Sequence, residues 1–248
     1  MRNKVLTKIG WGALVTAFWL LLWQGLSLLV SNAYFLPSPI ETFLALVRLL
    51  SESEFYLVVL FSFIRVILGL LLGITVGIVL AVLCHHIPIA RKFLTPIISV
   101  IKAMPVATFI IILWITLRGS ALSIFIGFLM VMPIIFQNVL DGYDSIDKDL
   151  YEVTVIYEFS AFKRFKLLTF PTLFSYFSPA LITSIGLAFK SQIAAEIIAY
   201  TNKSIGQYIF DAKYNLNTDT VFAWAIVIVL FSILLESVTK SLLRRVKK

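Results

Sequence analysis

The chain has 248 residues, 60% of them hydrophobic and 14% charged, with a mean hydropathy of +0.99. A soluble domain is about half apolar and about a quarter charged, and a globule of this size cannot enclose so much apolar surface, so the solvent is lipid. The single cysteine, Cys84, excludes an intrachain disulfide and leaves no thiol partner for a cysteine zinc site.

The apolar stretches are long and unbroken rather than alternating over short segments of about 10 residues, which predicts helices and not a barrel. Crossing a bilayer takes about 20 apolar residues. Six segments meet that requirement: 9–30, 57–84, 93–117, 121–140, 171–200 and 221–243. The first exceeds the apolar part of a cleaved signal peptide, and no small-residue cleavage site follows it, so it reads as a span. The second carries one charge, Arg65; the third is interrupted by Pro96, Lys102 and Pro105; the fifth contains Lys190 and Glu196.

Between the first two spans, Leu36-Pro37-Ser38-Pro39 ends one element and starts a short helix over 40–50 at the outer interface. The segment 141–170 is too polar for lipid. Its middle, 150–165, mixes apolar residues with Glu152, Glu158, Lys163 and Arg164, which predicts one amphipathic helix lying flat on the membrane, after which Pro171 opens the fifth span. The segment 201–220 is the other sizeable loop. Neither loop can hold a domain, so residues 1–248 form one membrane domain.

Basic residues collect on the cytoplasmic side. With the N-terminus inside, the inner segments hold Arg2, Lys4, Lys8, Arg91, Lys92, Lys148, Lys163, Arg164, Lys166, Lys240, Arg244, Arg245, Lys247 and Lys248, and the outer ones only Arg48, Arg118, Lys203 and Lys213. Both termini are therefore expected in the cytoplasm. The same bias accounts for the net charge of +8 with no nucleic-acid partner.

Gly69, Gly73 and Gly77 recur every fourth residue and expose bare backbone on one face of the second span, a signal for close helix packing. Adjacent His85 and His86 point in different directions on a helix and read as loop residues, so no metal site is expected. An ionisable residue at the bilayer centre costs roughly 2.5–3.5 kcal/mol and usually faces a cavity or a partner. Lys102, next to the helix-breaking Pro105, and Lys190 and Glu196 are therefore candidate path residues. Lys190 and Glu196 are about 240° apart around a helix and do not pair locally. Arg65, near a span end, reads as structural. Two lysines against one glutamate would suit an anion.

The segment Glu152-Val153-Thr154-Val155-Ile156-Tyr157-Glu158-Phe159-Ser160, with Phe165 and Phe170-Pro171, resembles the EAA loop of binding-protein-dependent ABC permeases. Glu152 and Pro171 match that pattern. Val153 and Thr154 replace its alanines, and Glu158 stands where a glycine is usual. Leu36-Pro37-Ser38-Pro39, Ser62-Phe63-Ile64-Arg65, the stretch from Pro96 through Lys102 and Pro105 to Trp114, and Ala194-Ala195-Glu196 followed by Ser204-Ile205-Gly206 resemble further family segments in the same order. The nitrate/sulfonate/taurine-type branch is the most similar.

The resemblance implies a type I importer permease, all-α, with about six transmembrane helices and a cytoplasmic coupling helix between the fourth and fifth. It implies a second permease copy, in a homodimer, an external solute-binding protein, and a cytoplasmic ATPase dimer docking on Glu152, Tyr157, Glu158, Ser160, Phe165 and Pro171. The chain has no phosphate-binding loop of its own, so ATP and magnesium are expected on the partner and no cofactor here. A permease for a vitamin precursor such as a thiamine-type pyrimidine, and a secondary transporter, are the alternatives. An intramembrane enzyme lacks a convergent catalytic set.

Overall fold

The computed structural model describes residues 2–32 and 34–246, with side chains for 11–32 and 34–245, and among them every regular element is helical. The side chains of Arg2, Lys4 and Lys8, and residues Lys247 and Lys248, counted above as cytoplasmic, lie outside the described residues. Helix α1 (Arg2–Val30) leads to α2 (Pro39–Ser51), whose start is written in Ser38-Pro39-Ile40-Glu41. Ser38 Oγ accepts from the Glu41 amide at 3.2 Å, and the Glu41 carboxylate accepts from the Ser38 amide at 2.7 Å, with Pro39 in the first helical position. The face of α2 holding Thr42, Ala45 and Leu49 is buried.

Helix α3 (Ser53–His86) is longer than the expected 57–84; its 34 residues rise about 51 Å, so it projects beyond a hydrocarbon core of about 30 Å or tilts within it. The expected third span is not one helix. Helices α4 (Pro88–Ala103) and α5 (Val106–Trp114) meet at an angle of 100°. Met104 precedes a proline and is held extended (φ −77°, ψ 134°), while Pro105 lacks the amide that would continue the ladder.

Helix α6 (Ser120–Asp144) runs four residues beyond the expected end of the fourth span at residue 140. The single flat helix expected over 150–165 is instead two, α7 (Lys148–Ile156) and α8 (Ala161–Arg164), and α8 passes through a π-turn (Phe165–Thr169) into α9 (Phe170–Ile198). Pro171 therefore does not open the fifth span but lies within a helical run of 38 residues, Ala161–Ile198. The wider π-turn just before it supplies the slack its ring and missing amide demand. Helix α10 (Ile205–Tyr214) folds back, and α11 (Thr218–Val246) ends the chain.

Helices α3, α6 and α9 form the centre, sharing buried Val66, Leu70, Val131, Ile135, Phe136, Ile185 and Ala188. The glycine stripe sets their separation. A Cβ on Gly73 would stand 2.7 Å from Val131 Cβ, one on Gly77 2.9 Å from the Met132 carbonyl, and one on Gly69 2.8 Å from the Ile124 carbonyl, all on α6. Contacts also sort the ends of the helices into two faces. At one, Arg91 meets Asp144 and His85 stacks on Tyr143. At the other, Tyr208 meets Glu54, and Arg65 meets Ser120 and the Lys203 carbonyl.

Replacing Gly73 with leucine drives a side chain into Val131, and overpacking of this kind costs about 1–3 kcal/mol. Gly73→Leu is expected to lower the melting temperature of the detergent-solubilised protein by several degrees. Gly12→Leu, where a Cβ meets nothing within 4 Å, is expected to leave it unchanged.

Candidate functional site

Two residues one helical turn apart on α3, Ser62 and Arg65, reach the same carboxylate on α9. Arg65 Nη1 donates to Glu196 Oε1 at 3.1 Å, and Ser62 Oγ donates to Glu196 Oε2 at 2.8 Å. The Gly206 amide also points to Oε2, at 3.4 Å. The remaining guanidinium donors go to Ser120 Oγ at 2.8 Å and to the Asn202 and Lys203 carbonyls at 3.3 Å. Ser62 Oγ accepts in turn from the Ile205 amide at 2.9 Å. Glu196 is 0% exposed and Arg65 8%. A buried ion pair is tolerable only when its remaining donors and lone pairs are satisfied, and this one draws partners from α3, α6, α9 and α10.

Glu196 therefore takes a different place from the one expected of it. Instead of lining a path it is enclosed, because Arg65 stands at its depth on the neighbouring helix and the start of α10 closes over it. Only glycine fits at 206, where a Cβ would lie 2.3 Å from Glu196 Cβ. Outside the spans, Tyr208 on α10 donates to Glu54 Oε2 at 2.5 Å, and that hydrogen bond pushes its phenol up to about 12, keeping it a donor.

Lys102, Pro105 and Lys190 are exposed. Lys102 and Pro105 flank the break between α4 and α5. Lys190 shares one face of α9 with exposed Pro171, Ser175, Pro179 and Thr183, a small and polar stripe turned away from the core. Neither lysine has a hydrogen-bond or ion-pair partner among the described residues.

At the opposite face to the buried pair, Asp147 caps α7, its Oδ1 accepting from the Asp149 and Leu150 amides at 2.9 and 3.1 Å. Glu152, Tyr157, Glu158, Ser160 and Phe165 are all exposed there. Helix α7 ends in a Schellman motif: the Phe159 amide donates to the Thr154 carbonyl and the Glu158 amide to the Val155 carbonyl. That geometry puts Glu158 at φ +50°, the left-handed region glycine favours. It is the physical reason the resembled pattern carries glycine at this position.

Ser160 then caps α8, accepting from the Lys163 amide at 3.3 Å. Arg164 donates to Tyr151 Oη at 3.0 Å across the turn. Ile156, Tyr157 and Phe162 remain 72–75% exposed. Arg91 anchors the base of this hairpin, donating to both oxygens of Asp144 at 2.9 and 2.6 Å.

Sequence reasoning missed several members. Gln192 is fully buried between α3 and α6, donating to the Val66 carbonyl at 3.3 Å. It occupies space left by Gly69 and Gly127, where Cβ atoms would come within 2.8 and 2.1 Å of its amide. A lone amide in an apolar span was the available signal. Glu236, inside the sixth span, pairs with Lys240 at 3.2 Å; their spacing of four residues was legible. The closing of Gly206 over Glu196 had no local signal.

Apolar spans around a buried ion pair, with an exposed helical hairpin at the opposite face, define a multi-pass membrane protein. The chain belongs to the family described as binding-protein-dependent transport system inner membrane component, which matches residues 73–248. It is an ABC importer permease of the inner membrane.

It is 25% identical over 246 residues, covering 97% of this chain and 88% of the relative, to a putative aliphatic sulfonates transport permease of Bacillus subtilis (strain 168). A bicarbonate transport system permease of Synechocystis sp. is 31% identical over 149 residues, which is 60% of this chain and 53% of that one. A nitrate import permease of Leptolyngbya laminosa is 28% identical over 184 residues, 73% and 65%. A chain of a bacterial ABC transporter involved in importing the acidic polysaccharide alginate shares the fold, with a TM-score of 0.65 over 99% of this chain and 100% of that one at 17% identity.

Removing one member of the buried pair leaves a stranded charge or polar group, at a cost of roughly 3–5 kcal/mol. Glu196→Leu and Arg65→Met are each expected to lower the melting temperature steeply, and the double variant Arg65→Met/Glu196→Leu to lie closer to the native protein than either. Strictly additive losses in this cycle would refute the pairing. At the turn, Glu158→Gly is expected to raise stability by up to about 1 kcal/mol by relieving the left-handed backbone, and Glu158→Val to lower it.

Proposed function

We propose that the chain forms half of the pathway of an ATP-driven importer for a small anion, as one of two identical copies, fed by an external binding protein. The observation that carries the reading is the residual charge. Glu196 is neutralised by Arg65, and Glu236 and Lys240 neutralise each other. The unpaired charges left within the spans among the described residues, Lys102 and Lys190, are both positive. The naming of relatives for sulfonates, bicarbonate and nitrate supports an anion and does not favour a vitamin precursor.

The proposed motor is a cytoplasmic ATPase dimer, holding ATP and magnesium, that docks on the hairpin of α7 and α8 around Glu152, Tyr157, Glu158, Ser160 and Phe165. Both termini are then cytoplasmic, and the basic face holding Arg91, Lys148, Lys163 and Arg164 is the inner one. The helical run Ala161–Ile198 joins α8 to α9 without a break. Closure of the ATPases would thus shift the helix that carries Lys190, and Pro105 would let α4 and α5 move separately. In this chain ATP would be neither bound nor hydrolysed.

Lys190→Met and Lys102→Leu are expected to cut uptake of the transported anion into proteoliposomes at least tenfold, with the complex still assembling. Uptake at the native rate in both variants would remove the proposal. Cysteines placed at Tyr157 and Phe162 in a Cys84→Ala background are expected to crosslink to the ATPase.

A further inference from the structure

We infer that the outer end of α6 carries an oxyanion-binding hollow that takes the solute before it enters the pathway. This rests on the anion-importer reading and adds a site to it. A hollow of about 750 Å³ opens on the face opposite the α7–α8 hairpin, with Trp114, Arg118, Gly119, Ser120, Tyr200 and Thr201 in its lining. Nothing acidic lines it.

Four donors belong to its lining residues or to the helix start beside them. Arg118 is exposed and has no carboxylate partner among the described residues. Ser120 Oγ accepts from Arg65 Nε, which leaves its own hydrogen to donate. Thr201 is 2% exposed, and its hydroxyl has no hydrogen-bond partner among the described residues. The fourth donor is the start of α6. Gly119 holds the N-cap with φ +56° and ψ −132°, a backbone open to glycine, and having no side chain it leaves the first-turn amides of this 25-residue helix uncapped.

Amides at a helix start, the positive end of its dipole and a guanidinium all select negative oxygens. Trp114 and Tyr200 wall the hollow with rings that suit a small organic group. The chemistry is therefore that of a small oxyanion such as a sulfonate, nitrate or bicarbonate. Arg65 bonds both Ser120 and the Asn202 carbonyl, so the hollow sits directly on the buried ion pair.

The test uses the permease–ATPase complex in nanodiscs, with nitrate as the probe because it quenches indole emission. The Trp114 signal is the difference between the native complex and Trp114→Phe. Nitrate is expected to quench that signal saturably in the native complex and in Arg118→Lys, and methanesulfonate to reverse it. In Arg118→Gln and Thr201→Val the apparent affinity is expected to fall about tenfold, the scale of one charge-assisted hydrogen bond, with quenching by neutral acrylamide unchanged.

Equal nitrate affinity in the native complex and Arg118→Gln overturns the inference. So does a loss of binding-protein docking in Arg118→Gln with quenching intact, which would make the arginine a docking contact. Uptake of nitrate, bicarbonate or methanesulfonate by the native importer in proteoliposomes separates the two readings. Uptake without Arg118-dependent quenching overturns the hollow alone, and no uptake of any of the three overturns the anion-importer reading and this inference with it.

Discussion

A carboxylate and a guanidinium, both withdrawn from water, tie four helices together at one end of this protein. Water cannot rescue an unmade hydrogen bond at the buried pair of Glu196 and Arg65, so each remaining donor and acceptor must be met by protein. Meeting them fixes the start of α6 through Ser120, the α9–α10 connection through two carbonyls, and the start of α10 through Ser62 and Gly206. Geometry at this end is thus set by polar contacts together with the apolar packing of Phe55, Ile193, Ile205 and Trp224. The opposite end is tied by a more exposed pair, Arg91 and Asp144, whose side chains are 44% and 43% exposed. An exposed pair of this kind contributes little to stability, and its two parallel contacts orient the hairpin more than they stabilise it.

Between the two ends, α9 is a continuous helix leading directly out of α8. One helical run thus links the hairpin to Lys190 and the buried pair. In the π-turn before Pro171 the backbone hydrogen bonds of that run leave the α-helical register. The α4–α5 pair is built the opposite way. A bend of 100° at Met104 and Pro105 separates it into two helices.

Much of this could be read from the residues. Lipid as solvent, six apolar segments and the polar hairpin segment follow from hydropathy. Ser38, Pro39 and Glu41 spell a capped helix, and the spacing of Gly69, Gly73 and Gly77 announces a close helix contact. Glu158 stands where the resembled pattern has glycine, a departure that the residues record and that only the positive φ explains. Lys102 and Lys190 stand out because charge in a span is rare. What misled was treating each charge by itself: Glu196 looked like a path residue only as long as Arg65, 131 positions away, was considered separately.

The sequence by itself determined the solvent, the apolar segments, the asymmetry of basic residues and the turn chemistry, because each depends on composition or on neighbours within a few residues. Only the tertiary structure decided which charges cancel and which remain. It also decided that Gln192 fills the space of two glycines on different helices, and that Arg118, Thr201 and the uncapped end of α6 surround one hollow. Those outcomes depend on which faces of α3, α6 and α9 meet and at what depth. Hydrophobic periodicity constrains such pairing weakly in a membrane, where every outward face is equally apolar.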